Sequence, residues 1–183
     1  MVREELWRRV NRPHGSLSLK RVLEGVEAFS SEFNGVLVSE TMLLDKVEYG
    51  GGLEEVAGFL KGLKHLSKAY IAVPTRPPAE PWAGPPGEAV VAAAYHVFSH
   101  VLGKERVELL TSLEPPGFAA LGEPRTAILA VASVHPIRRD AMERLLEEYG
   151  VDWRLVGELV AAGELVEVEY RGTMYYVRRL PGR

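Results

Sequence analysis

Four stretches of this sequence carry side chains able to do chemistry. Ser39, Glu40 and Thr41 interrupt the otherwise apolar run from Val36 to Leu44. A carboxylate inside such a strand is either satisfied by a lysine or a backbone amide, or it is offered to a ligand. Alternation puts Glu40 with Met42, or Ser39 with Thr41, on one face, but not all three together. The second stretch is IAVPTRPPAEPWAGPP, Ile71 to Pro86, with six prolines around Thr75, Arg76 and Trp82. A guanidinium held between a strand end and a proline run suits a carboxylate or a phosphate, or makes a structural ion pair. Trp82 either packs under the prolines or stacks on a substrate ring. The third stretch sets His96 and His100 four apart on one helix face; nothing nearby completes a set of three or four ligands, so no metal site is expected. The fourth is Asn11-Arg12, where a helix stops ahead of Pro13.

What is missing narrows the chemistry. The chain has no cysteine, which excludes disulfides, thiol nucleophiles and any iron–sulfur cluster held by its own thiolates. There is no P-loop, GxGxxG or ordered Ser/His/Asp set, so NTPase, Rossmann and triad-hydrolase readings have no support. The formal charge of −3 points to neither a polyanion nor a membrane partner. No export pattern and no apolar run near eighteen residues are found, so the expectation is a cytoplasmic protein. Glutamine is absent and asparagine occurs only as Asn11 and Asn34, a depletion of heat-labile amides that fits a thermophile.

The elements that must position these groups follow from periodicity. Glu4 to Arg9 reads as a helix with Leu6, Trp7 and Val10 apolar, stopped before Pro13. Ser16 is a candidate cap for a helix to about Phe33 with Leu19, Val22, Leu23, Val26 and Phe29 on one side. Val36 to Leu44 is a strand, Leu53 to Leu66 a helix, Ala69 to Val73 a strand, Glu88 to Leu102 a helix and Val107 to Leu110 a strand. This alternation predicts right-handed βαβ units and a parallel sheet. Pro74 cannot extend the ladder, so the lip emerges beyond the strand's carboxyl end, where parallel α/β folds bind ligands. Only three strands are visible, too few to close a barrel, and their edges call for a partner.

A second architecture is expected after Pro116. Thr126 is a candidate cap for 127–132, Pro136 opens a helix to Tyr149 with Met142, Leu145 and Leu146 inward, and Asp152 caps Trp153 to Ala162. Leu165 to Tyr170 and Thr173 to Arg179 then form a hairpin across Arg171-Gly172. Three helices and a terminal hairpin predict a winged helix over 117–183, with 1–116 as a partial (β/α) barrel.

The ordered combination LWRRVNRPHGSLSLKRVLEGVEAFSSEF, GVLVSETMLL, AYIAVPTRPPAEPW, SVHPIRRDAMERLL and EVEYRGTMYYV resembles the carboxyl-terminal half of archaeal radical SAM proteins of the wyosine-type tRNA-modifying and activating-enzyme branches. In that family an upstream half carries the CxxxCxxC loop for a [4Fe-4S] cluster, which this sequence lacks. The resemblance implies that 36–44 is the fifth barrel strand, with Ser39, Glu40 and Thr41 near S-adenosylmethionine. It makes 69–73 the sixth, with Pro74, Thr75 and Arg76 at the cofactor's mouth. Asn11, Arg12 and Trp82 become substrate-side residues. The turn Asp45-Lys46-Val47-Glu48 departs from the glycine-containing turn of relatives.

The resulting expectation is the carboxyl-terminal portion of a radical SAM protein. It is not catalytic alone, and its partner is the cluster-binding half, from the same gene or a separate polypeptide, or a second copy. The alternative is a winged-helix regulator reaching nucleic acid through Arg154 and Arg171, or a protein-interaction adaptor. Nine arginines against ten acidic residues from Glu123 onward weaken nucleic-acid binding, because such a footprint is basic. A small metal-independent enzyme built on Glu40 and Arg76 ranks last, having no nucleophile or base.

Overall fold

The computed structural model describes residues 1–110 and 122–179. The chain divides into two compact units, Met1–Pro74 with Pro78–Ser112, and Thr75–Pro77 with Leu113–Arg183. The first is a mixed α/β unit with a parallel three-stranded sheet; the second carries a small antiparallel sheet. No helix among the described residues is long and apolar enough to cross a membrane.

The first unit runs α1 (Glu4–Val10), α2 (Leu19–Glu32), β1 (Leu37–Met42), α3 (Gly52–Gly62), β2 (Leu66–Ala72), α4 (Glu88–Leu102), a 3-10 turn and β3 (Val107–Leu110). Its sheet has the order β1-β2-β3, every pair parallel. Ser39 and Thr41 align with Ala69 and Ile71 of β2, and these with Val107 and Leu109 of β3. Aligned residues of a parallel sheet share a face. That face packs on Val56, Ala57 and Leu60 of α3 and Ala94, Phe98 and Leu102 of α4, with Ala69, Ile71 and Phe98 fully buried. The strand β1 is shorter than its apolar run, because Leu43 and Leu44 continue into a loop that Tyr49 holds: the Leu44 amide donates to the Tyr49 hydroxyl at 2.7 Å.

The helix α1 is anchored at the loop end of the sheet, with Leu6 and Trp7 buried and Arg3 paired to Glu55 of α3. A Cβ on Gly52 would come within 2.7 Å of Leu6 Cδ1, so the bare glycine lets α1 approach α3 here. In contrast, α2 leaves its stripe uncovered. Leu19 is buried, but Val22, Val26 and Phe29 are 38%, 38% and 53% exposed. Its cap also differs from expectation. Ser16 bonds to His14 instead, and the helix starts after Ser18 without a side-chain cap. At the far end, the Ser30 hydroxyl accepts the Lys64 amide at 3.3 Å. This satisfies a group left open where α3 stops at Gly62, short of the expected Leu66.

The second unit runs α5 (Pro124–Val134), β4 (Ile137–Arg138), α6 (Arg139–Tyr149), α7 (Arg154–Ala161), β5 (Leu165–Tyr170) and β6 (Thr173–Arg178), with sheet order β4-β6-β5, antiparallel throughout. Glu123, not Thr126, caps α5: its carboxylate accepts the Thr126 amide at 2.9 Å and the Arg125 amide at 3.1 Å, with Pro124 at the first helical position. Pro136 lies before β4 rather than in α6, since the short bridge of Ile137–Arg138 to Tyr175 and Tyr176 intervenes. Gly150 ends α6 at φ 64, its amide on the Glu147 carbonyl and that of Val151 on Leu146, the left-handed stop that glycine permits. Met142, Leu145 and Leu146 join Ile128, Leu159 and Leu165 in the core.

Phe98 fills the centre of the first unit's core, so Phe98→Ala is expected to lower stability by about 3–5 kcal/mol, read from the denaturant midpoint. The two amide bonds, Thr126 foremost, hold the Glu123 carboxyl below the usual glutamate range. Its share of stability is therefore full above the unfolded value of about 4.3 and lost as pH falls through the lower folded value. Thermal unfolding followed against pH should show a shallower acid fall in Glu123→Gln than in the parent.

Candidate functional site

The opposite sheet face is where polar chemistry gathers. Glu40, Tyr70 and Glu108 stand in register across β1, β2 and β3, and Lys68, two residues before Tyr70, forms an ion pair with Glu108. That hydrogen-bonded carboxylate holds the Lys68 ammonium above its ordinary value. Val38, Met42 and Leu110 flank the row and are 47%, 42% and 41% exposed. Among the described residues Glu40 is exposed and makes no ion pair. The face thus presents an unpaired carboxylate, a phenol and a neutralised Lys–Glu pair within three adjacent strands, a set suited to a ligand carrying an ammonium or hydroxyl group.

The alternation left open in the sequence is settled here. Glu40 and Met42 share the open face, while Ser39 and Thr41 turn to the helix side, where Thr41 is buried and the Ser39 hydroxyl has no partner among the described residues. The strands' carboxyl ends lead to the loop after Met42 and to the proline lip, which meet where the Asp45 amide donates to the Gly84 carbonyl at 2.7 Å. Pro74 stays with this first unit. Thr75 and Arg76 belong to the second, where the Tyr175 hydroxyl donates to the Thr75 carbonyl at 2.9 Å and Arg76 Nη1 lies 2.9 Å from His135 Nδ1. Desolvation raises the Tyr175 phenol above its usual value, keeping it protonated as the donor this bond requires.

A separate cleft of about 430 Å³ in the first unit is lined by Arg8, Arg9, Arg12, Glu80 and Trp82. It joins Arg12 and Trp82, expected on the substrate side; Asn11, the C-cap of α1 immediately before Arg12, does not line the cleft. Arg9 lies 5.9 Å over the Trp82 ring and donates to the Lys46 carbonyl at 2.6 Å. Arg12 pairs with Glu80, and its backbone sits at φ 46.

In the second unit Arg154 opens α7 with its side chain 82% exposed, 3.5 Å from Asp152. Arg171 holds φ 51 at the hairpin tip beside Gly172 at φ 75, the left-handed pair that a two-residue turn demands. His96 and His100 are exposed on α4, and among the described residues no group of three or more potential ligands could hold a metal.

Lys68, Tyr70, Glu108, Arg8 and Arg9 escaped the sequence reading. Lys68 and Tyr70 at i and i+2 in LSKAYIA signal a common face, but the apolar run beginning at Ala69 hid it. Arg8 and Arg9 read as the solvated side of a helix.

The whole chain is 34% identical to the UPF0026 protein MJ1312 of the archaeon Methanocaldococcus jannaschii and spans 57% of that protein's length. No family model matches it, and no solved structure does.

Tyr175→Phe removes one hydrogen bond and strands the Thr75 carbonyl, which should cost about 0.5–1.5 kcal/mol. Faster amide exchange at Arg76 than in the parent, with the hairpin amides of β5 and β6 unchanged, is the expected signature.

Proposed function

We propose that this chain forms the carboxyl-terminal half of a radical SAM barrel followed by a winged helix. The observation that carries the reading is the one-sided sheet: helices cover the Ala69–Ile71 face, while the Glu40–Tyr70–Glu108 row lies on the other face beside a β1 edge that is unpaired among the described residues. In a (β/α) barrel the helix-free face lines the interior and gathers ligand-binding groups toward the strand ends. A relative with 43% of its length outside the match, the complement of the 57% spanned, supports further barrel strands outside this chain. The order α5-β4-α6-α7-β5-β6 with sheet β4-β6-β5 supports the winged helix.

The residues present fit S-adenosylmethionine but not the cluster. Glu40 offers its carboxylate to the cofactor's ammonium, and Tyr70 offers a hydroxyl donor and acceptor. Bound beside a cluster, the cofactor would supply radical chemistry on a substrate. With no cysteine in the sequence, the cluster's thiolates come from the other half, and the part played here is to bind and orient. The winged helix carries balanced charge, and its Arg154 is offset by Asp152, which favours protein contact over a nucleic-acid footprint.

Mixing the chain with the part of the M. jannaschii relative that lies outside the match should yield a 1:1 complex that binds S-adenosylmethionine in calorimetry. Glu40→Gln in that complex is expected to weaken binding about tenfold or more, since a charged hydrogen bond contributes about 1.5–3 kcal/mol. A cluster formed on this chain alone with iron and sulfide, or cofactor affinity indifferent to Glu40→Gln, overturns the reading.

A further inference from the structure

We infer that the arginine cleft of the first unit is a phosphate-binding site sized for a nucleotide, a role that needs neither cluster nor S-adenosylmethionine. Three guanidinium groups and one carboxylate, Glu80, line it together with the Trp82 ring; Arg8 is paired with Glu4 one turn earlier and Arg12 with Glu80, so the net positive charge facing the cavity rests on Arg9. Its volume of about 430 Å³ lies within the range of small-ligand pockets.

The three cations play different parts. Arg9 is fixed in advance, its guanidinium carbon 5.9 Å from the centre of the Trp82 ring and its Nη2 tied to the Lys46 carbonyl, so little side-chain entropy remains to be lost when it meets an anion. Arg8, paired with Glu4 at 2.7 Å, and Arg12, paired with Glu80, keep side chains 64% and 62% exposed, and such exposed pairs are weak enough to be exchanged for a ligand. Arg12 holds a left-handed backbone at φ 46 immediately before Pro13, a conformation that is strained for a non-glycine residue. A surface arginine serving only the carboxyl end of α1 needs no such strain, because the helix terminus attracts any nearby cation.

Glu80, carried on the proline lip, occupies Arg12 as a stand-in for the anion. An arriving phosphate displaces it, and planar guanidinium groups then engage the phosphate oxygens in paired hydrogen bonds. Trp82 gives the same cavity an apolar wall against which a base or sugar lies. The phosphate belongs to a free nucleotide or to a nucleic-acid strand, and the chemistry of the cleft is common to both.

The test titrates the whole chain with AMP, with inorganic phosphate and with a short single-stranded oligoadenylate at low and moderate salt. The expected result is salt-sensitive binding of AMP or the strand, weakened at least tenfold in Arg8→Gln/Arg12→Gln and tightened several-fold in Glu80→Gln. Tighter binding of the strand than of AMP identifies nucleic acid as the source, and the reverse identifies a free nucleotide. Arg21→Gln/Arg144→Gln, which removes the same charge elsewhere, should leave affinity unchanged, and circular dichroism confirms folding of each variant. The inference is overturned if no probe binds, if binding survives the double change in the cleft, if the control double weakens it equally, or if Glu80→Gln weakens it.

Discussion

Backbone hydrogen bonding along the free edge of β1 is the constraint on which the first unit turns. Every residue of a strand carries a donor and an acceptor, and an edge strand leaves one row of them to solvent or to a partner. Here β1 is paired on one side to β2, while Val36 and Val38 beside its other side are 77% and 47% exposed. Natural edges of isolated sheets are usually blunted by lysine, proline or bulges. The irregularity between Leu37 and Val38 touches only the start of this one.

Chain direction says where a neighbouring strand would lie. The Ser30 contact to Lys64 fixes the end of α2 near the turn that enters β2, so α2 descends from the loop end of the sheet and β1 climbs back. In the half-barrel proposal this is the second half of a βαβ crossover. The right-handed rule then places the strand preceding α2 on the free side of β1, and α2 over the gap between them. The exposed Val22, Val26 and Phe29 are the stripe such a strand would meet. The half-barrel proposal accounts at once for a helix stripe, a strand edge and a sheet face left open together.

The second unit has the opposite character. Its core closes on itself through Ile128, Ile137, Met142, Leu159 and Leu165, all nearly or fully buried, and its turns are fixed by local chemistry at Glu123, Gly150 and Gly172. The clamp of Tyr175 on the Thr75 carbonyl adds a segment distant in sequence to that body. Thr75 and Arg76 thereby answer to a different neighbourhood from Pro74, which precedes them by a single peptide bond.

Much was legible from local pattern. Alternating helix and strand periods specified a parallel sheet, and Arg171-Gly172 between two alternating runs specified the hairpin, because both signals depend on neighbours within a few residues. Caps were less legible. Ser16 and Thr126 have the right chemistry, yet Ser18 and Glu123 hold the positions, since a cap depends on where the chain enters the helix.

Composition alone settled that this chain brings no thiolate to a metal cluster. Tertiary structure alone decided that Glu40 rather than Thr41 faces open space, that Lys68 and Glu108 join it, and that three arginines meet Trp82. The physical reason is that a strand's period names two faces without saying which one helices will cover. That choice is made only when the crossovers fold over the sheet, and a surface arginine acquires a role only when a distant loop is brought beside it.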